Sequence, residues 1–376
     1  MTQRPPRKPV PCAAVPWRAR NRFVLLAQGE RFLPAMLEAI AGARERVALE
    51  IYWIETGATA ERFIGHLVEA AGRGVEVLLL IDDYGSAALD AYDRRRLTGA
   101  GVVLARYNPL RLRLGYGNLR RDHRKILLID DRVAFVGGAG IADAFAGSDG
   151  WRENMLRIEG DCVADWWAVF AGNWRRWSAH PCTPPRSLSV GDIPGRVIAG
   201  GDQPGRRPIA ATALGSIARA RQRVWLVTPY FLPPVKLRRA LARARRRGAS
   251  VRLLLPSEAT CDVPAVQAAG RRYYDWLLRR GVRIFEYQRT TTHQKLLVAD
   301  DRVLLGSSNF DRWGLRWNLE ANQAIHSRAS ADEVVATLRR DCTASRELNL
   351  ADWRRRSAFA RLRERVYGWL EARASR

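Results

Sequence analysis

Two histidines and two lysines stand out by type and by spacing. His123 is followed by Lys125 and Asp130, and His293 by Lys295 and Asp300, so His-x-Lys-x4-Asp occurs twice. The chain has five His (66, 123, 180, 293, 326) and four Lys (8, 125, 236, 295), while 59 of its 63 basic residues are Arg. Lysine at these two points, in a chain that otherwise uses Arg, implies a site that needs a compact ammonium rather than a planar fork. Alternation along a strand places each His and the Lys two residues later on one face, where both can meet one ligand. Two imidazoles facing one phosphorus suit a two-step displacement. One attacks a phosphodiester to give a covalent phosphohistidine; the other donates a proton to the departing alkoxide and then deprotonates the incoming alcohol. Lys125 and Lys295 would hold the phosphoryl oxygens as charge accumulates there.

An imidazole in such a role needs an acceptor on its second nitrogen. Glu153, 30 residues after His123, and Glu320, 27 after His293, are the carboxylates in matching downstream positions, although spacing leaves open whether each serves its own half or the other. Asp130 and Asp300 fall at expected hairpin turns. They either cap the turn or act directly, and both stay among the catalytic candidates.

These residues need elements to carry them. Residues 23–26 read as a short strand, 30–46 as an amphipathic helix, 47–54 as a buried strand, 60–72 as a helix stopped by Gly74, 75–81 as a strand, and 87–98 as a helix. Lys125 to Ile129 and Val133 to Val136 then form a hairpin across Asp130-Asp131 that closes on Gly137-Gly138. The second motif leads in the same way to Gly306-Ser307-Ser308-Asn309. The likeness extends beyond the motifs. Arg22-Phe-Val-Leu-Leu, Ala43-Arg-Glu-Arg-Val-Ala-Leu, Gly74-Val-Glu-Val-Leu-Leu-Leu and Gly101-Val-Val-Leu recur from Arg196, Ala220, Gly248 and Gly281, 170 to 180 residues later like the histidines. The expected fold is therefore α/β: two tandem lobes, each a sheet flanked by helices, related by a pseudo-twofold axis and sharing one active site. The boundaries follow as a basic flexible tail (1–20), a first lobe (21–179), a Pro- and Gly-containing linker (180–195), a second lobe (196–350) and a C-terminal basic amphipathic helix (351–376).

A formal charge of +25 points to an anionic partner: nucleic acid, an acidic membrane surface or an anionic substrate. Five scattered Cys with no Cys-x-x-Cys pair argue against a zinc site or a disulfide framework and for a reducing compartment. No window of 18 apolar residues is present to span a bilayer. Trp166, Trp167, Trp174 and Trp177 share a helical spacing that suits core packing or interfacial anchoring. In the last stretch Phe359, Leu362, Val366, Trp369 and Leu370 share a face, which either docks onto the protein or binds a membrane interface.

The paired motifs, each followed six or seven residues later by Gly-Gly or Gly-Ser, resemble the phospholipase D superfamily. Thr228-Pro-Tyr-Phe-Leu-Pro, Gly306-Ser-Ser-Asn-Phe-Asp, Asn318-Leu-Glu-Ala-Asn and Trp151-Arg-Glu look more narrowly like bacterial cardiolipin synthases of a short form. The resemblance covers roughly residues 20 to 350. It implies a mixed-sheet, two-lobed fold and transfer of a phosphatidyl group through phosphohistidine, with no metal or cofactor. Its substrates would be anionic phospholipids: two phosphatidylglycerol molecules give cardiolipin and glycerol at the cytoplasmic face of the inner membrane, with peripheral attachment. Substrate contacts are expected from Gly137, Gly138, Ser307, Ser308, Asn309, Asn322, Arg120 and Arg121. The chain departs from the family pattern at Gly140, where Asn is common. Alternatives are a hydrolase, a transferase using another headgroup alcohol, a nucleic-acid phosphodiesterase of the same superfamily, and a non-catalytic lipid-binding protein. Nucleic acid is disfavoured by the lipid-synthase-like motifs, and a non-catalytic role by the intact His-Lys pairs.

Overall fold

The computed structural model describes residues 15–111, 117–182, 188–201, 207–311 and 318–374. Outside these ranges lie most of the expected tail, residues 112–116 of the basic loop, 183–187 of the linker and the last two residues.

The first half builds a sheet from β1 (Asn21–Ala27), β2 (Arg46–Ile51), β3 (Glu76–Asp82), β4 (Val103–Tyr107), β5 (Lys125–Ile129), β6 (Val133–Gly137) and β7 (Asn154–Gly160), in the order β1-β7-β6-β5-β2-β3-β4. The second half uses β8 (Gly195–Gly200), β9 (Arg223–Val227), β10 (Ser250–Pro256), β11 (Arg283–Tyr287), β12 (Leu296–Ala299), β13 (Arg302–Gly306) and β14 (Glu320–His326). The edge strand β15 (Ser345–Leu348) completes the order β15-β11-β10-β9-β12-β13-β14-β8. With β15 set aside, the two orders are the same. In each sheet three strands run parallel (β2, β3, β4; β9, β10, β11) and the motif hairpin is antiparallel.

The parallel strands are near-continuous runs of Val, Leu and Ile because both of their faces are covered. Along β3, Leu79 and Ile81 pack under α1 (Gly29–Ala41), α2 (Ala58–Gly72) and α3 (Ala91–Gly99), while Leu78 and Leu80 face the opposite way. That opposite face joins a core shared by both sheets. α4 (Cys162–Trp177) and α9 (Arg328–Thr343) supply its middle, with Trp166, Trp167 and Trp174 buried beside Val334 and Leu338. The tryptophan cluster is therefore core. The outer face of the second sheet is covered by α5 (Pro208–Arg219), α6 (Val235–Arg246), α8 (Tyr274–Leu278) and α10 (Leu350–Arg355). α7 (Pro264–Arg271) packs against the last helix, α11 (Ala358–Ala374).

α1 stops at Ala41, short of the expected 46. Gly42 closes it by donating to Glu38 O at 2.9 Å, and the N–H groups of Arg44, Glu45 and Arg46 turn to the Asp130 carboxylate. The C-terminal stretch is two helices, broken after Arg355.

Candidate active site

Each histidine sits just before the first strand of its motif hairpin, and a short bridge to the other half holds it there. His123 N donates to Leu319 O (3.0 Å) and Leu319 N to Arg121 O (2.9 Å). Reciprocally, His293 N donates to Arg152 O and Arg152 N to Thr291 O, both at 2.8 Å. Because residues 152 and 319 immediately precede the two glutamates, each bridge delivers a carboxylate to the histidine of the opposite half. His293 Nδ1 lies 2.8 Å from Glu153 Oε2, and His123 Nδ1 lies 3.0 Å from Glu320 Oε1. The orienting pairs thus cross between halves, which spacing had left undecided. This reciprocity is the contact pattern of a twofold arrangement.

With Nδ1 donating to a carboxylate, each imidazole keeps Nε2 for a cleft of about 610 Å³ that both histidines line. Aromatic rings fix the imidazoles: Tyr52 packs on His123 (centroids 4.9 Å apart), and Trp151 and Phe145 on His293 (5.5 and 5.8 Å). Lys125 Nζ donates to His123 O at 2.7 Å, and Lys295 Nζ lies 2.9 and 3.1 Å from the two ring nitrogens of His293.

Burial followed by the two ammonium groups holds His123 well below the ordinary imidazole value, and burial with Lys295 brings His293 down to about 4. Burial also lowers Lys125 to about 7 and lowers Lys295. The site therefore favours neutral imidazoles beside buried lysines, and the charge of a phosphodiester anion would raise the imidazoles again. The glutamates differ from each other. Burial pushes Glu153 upward, but Lys295, with an Nζ–Oε2 separation of 3.4 Å, and the hydrogen bond to His293 outweigh it and leave the carboxyl below its usual value. Glu320, whose burial is offset less by Lys125 and the Ser307 hydroxyl, is pushed up to about 8.

The loops after β6 and β13 also surround the two glutamates differently. A Cβ on Gly138 would stand 2.7 Å from Glu153 Cδ, so glycine there lets Glu153 press close. The counterpart Ser307 donates its hydroxyl to Glu320 and accepts from Ala321 N at 3.0 Å. Gly140, the departure from the family pattern, packs against Trp53: a Cβ would meet Trp53 O at 2.8 Å, so Asn does not fit without moving that residue. Its counterpart Asn309 lines the cleft with a buried Oδ1 that has no hydrogen-bond partner among the described residues.

Several anticipated residues lie elsewhere. Asp130 and Asp300, catalytic candidates for which turn capping was the other reading, stand away from the cleft. Both occupy the hairpin turns at the far ends of β5 and β12 with left-handed backbone (φ 50° and 55°). Asp130 accepts from Glu45 N and Arg46 N at 2.8 and 3.0 Å, and Asp300 from Arg221, Gln222 and Arg223 N at 2.8 to 2.9 Å. Asn322 and Gly137 lie beneath the cleft. Asn322 Oδ1 accepts from Ser308 N at 3.3 Å, and Gly137 is pressed against β7, so neither lines the opening. Ser308 is fully buried and donates to Asn309 O. Arg120 donates to Gly201 O across the halves, while Arg121 lines the cleft with its guanidinium engaged by Asp82 and Asn108 O.

Sequence reasoning missed Tyr52, Trp53, Tyr230 and Asp262, which also line the cleft, Tyr230 donating its hydroxyl to Asp262. The signal was present: Tyr52-Trp53 follows β2 as Pro229-Tyr230 follows β9, so extending the internal repeat to the strand ends would have paired them.

Residues 36–174 and 214–342 match the protein family described as cardiolipin synthase, PLD-like domain. Cardiolipin synthase B of Escherichia coli (strain K12) is 34% identical over 325 residues, 83% of this chain and 78% of that protein. Cardiolipin synthase A of Pseudomonas aeruginosa (strain LESB58) is 33% identical over 354 residues, 90% of this chain and 70% of that one. The crystal structure of phosphatidylserine synthase from Haemophilus influenzae Rd KW20 superposes with a TM-score of 0.73 over 96% of this chain and 95% of that chain; at 15% identity it bears on the fold.

Proposed function

Because this chain belongs to the phospholipase D-like cardiolipin synthase family and is a phosphatidyltransferase of that type, we propose that it converts two phosphatidylglycerol molecules into cardiolipin and glycerol. The observation that carries the reading is the single cleft lined by His123 and His293, each held by the other half's glutamate. Nε2 of His123 attacks phosphorus, the bond to the glycerol oxygen breaks, and that oxygen takes the proton from Nε2 of His293. The headgroup hydroxyl of a second phosphatidylglycerol then loses its proton to His293 and attacks phosphorus, and the P–N bond to His123 breaks. The glutamates support this order. Ionised Glu153 suits the imidazolium that His293 must become, and Glu320, raised to about 8, suits a neutral nucleophile at His123. Lys125 lines the cleft on the nucleophile's side, beside the site of developing phosphoryl charge, and Lys295 completes the cationic surround from beneath His293.

The protein acts while attached peripherally to an anionic membrane, at the cytoplasmic face of the inner membrane. Its +25 charge supports this, and no helix among the described residues is long and apolar enough to cross a bilayer. Purified protein and phosphatidylglycerol vesicles test the reaction. Glycerol and cardiolipin in equal amounts, with ping-pong kinetics and reversal by excess glycerol, are expected. Phosphatidic acid as the main product would make the protein a hydrolase.

A further inference from the structure

Helix α11 is amphipathic in the reverse of the usual sense. A helix on a soluble protein turns its apolar stripe inward, yet α11 packs with Glu364, Gly368 and Glu371 inward. Glu364 pairs with Arg271 (3.4 Å) and Arg356, Glu371 with Arg272 (3.2 Å), and Arg272 lies against Gly368, where any side chain would collide with its guanidinium. Arg363 adds a pair with Glu258. These partners account for the docked face, so the helix is held in this rotation by specific contacts. The opposite face presents Phe359 (75% exposed), Leu362, Val366, Trp369 and Leu370 to solvent. Exposed Arg361, Arg365 and Arg373 accompany the stripe, Arg373 with its guanidinium 4.2 Å from the Trp369 ring.

α11 also rests on an element that reaches the cleft. α7, on which α11 rests, contributes Val266 to the cleft lining, and Tyr84, Leu110 and Leu119 stand exposed around the same opening. We infer that the outward face of α11 seats in the headgroup region of an anionic lipid bilayer and brings the cleft mouth to the membrane surface. The chemistry fits one occupant: aromatic and aliphatic side chains for the acyl boundary, arginines for lipid phosphates. A second copy of the chain meeting this face about a twofold axis would bring the same arginines together. The inference rests on the phospholipid reading for its purpose, but its test does not depend on turnover.

The test compares the full chain with a triple variant, Phe359→Ser, Leu362→Ser and Trp369→Ser, by sedimentation with vesicles of equimolar phosphatidylglycerol and phosphatidylcholine. Salt is raised from roughly 0.1 M to about 1 M, which shortens the Debye length from ~10 Å to ~3 Å and leaves mainly the apolar contribution. The unmodified protein should retain vesicle binding at high salt. The variant should bind at low salt yet fall at least about tenfold behind at high salt, while Trp369→Phe alone keeps the unmodified behaviour. Thermal unfolding of the triple variant should match that of the unmodified protein, because the substituted side chains are exposed and the ion pairs of the docked face are untouched. Equal high-salt binding by the triple variant overturns the inference, as does failure of the unmodified protein to bind at all. So does a dimer in sedimentation velocity that the triple variant dissolves, since the face would then join copies of the chain. Salt-resistant binding that the variant loses, in a protein that makes no cardiolipin, supports the inference and sinks the reaction assignment instead.

Discussion

Glu153→Gln and Glu320→Gln are near-isosteric changes at equivalent positions, and the structure predicts different costs for them. Glu153 lies 2.8 Å from His293 Nδ1, 3.4 Å from Lys295 Nζ and 2.9 Å from Asn154 N, and the Lys295 side chain is wholly buried. Removing the carboxylate charge strands that ammonium, and breaking a buried pair from one side costs about 3–5 kcal/mol. Such a loss is a large part of a typical total stability of roughly 5–15 kcal/mol. Glu320, raised to about 8, already carries its proton near neutrality. An amide keeps the hydrogen bond to His123, so Glu320→Gln should cost about 0.5–1.5 kcal/mol. The pH dependences should also oppose each other. Between about 4.5 and about 8 the folded protein holds a proton on Glu320 that the unfolded chain has released, so this group makes stability fall as pH rises. Glu320→Gln abolishes that slope. The folded-state value of Glu153 is lowered, so its contribution is present above the unfolded value and is lost as pH falls. Urea unfolding of the three proteins at pH 5, 7 and 8.5 reads the two costs and the Glu320 slope, and a further point below about pH 4.5 reads the loss from Glu153. Equal losses at pH 7, or a larger loss for Glu320→Gln, would refute the charge assignment.

His123→Asn and His293→Asn should each abolish cardiolipin formation with the fold retained, as circular dichroism will show; substantial residual turnover in either would mean that the two motifs do not form one site. Asp130→Ala should leave kcat of the folded protein essentially unchanged while lowering stability by about 2–4 kcal/mol, because it orphans N–H groups of the turn before β2 and places Ala at φ 50°. A large kcat loss measured at full folding would restore Asp130 to the chemistry. Gly138→Ala drives a methyl group into the Glu153 carboxylate. A displacement of about 1 Å there should cost on the order of 10²-fold in kcat with little change in KM, in a steady-state assay, and near-normal kcat would show that the carboxylate has room to spare.

The sheets were legible because continuous Val-Leu-Ile runs and a 170-to-180-residue repeat recur in one dimension. What the sequence hid are contacts with no local signature. The crossing of Glu153 to His293 depends on two isolated bridges, Arg152 to Thr292 and Asp122 to Leu319, which no periodicity encodes. Asp130 sits in the motif by spacing, yet a five-residue strand carries it to the far end from His123, where the turn before β2 needs an acceptor. For α11 the apolar stripe was read correctly as a stripe. Its direction was not available, because the arginine partners of Glu364 and Glu371 come from the distant C-terminal end of α7, the residue after it and Arg356.

Reciprocal exchange of a glutamate is how two identical subunits would complete each other's sites. In two separate chains such a site would be diluted away at low concentration. Here the partner is covalently attached, and its effective concentration no longer depends on how much protein the cell makes. Joining them also releases the halves from sameness, since a substitution in one is no longer copied into the other. Gly138 opposite Ser307, Gly140 opposite Asn309 and Met155 opposite Asn322 are places where that freedom has been used. One histidine faces a carboxyl held below its usual value and the other a carboxyl raised to about 8, a difference that a symmetric pair of chains would have to create anew in every turnover.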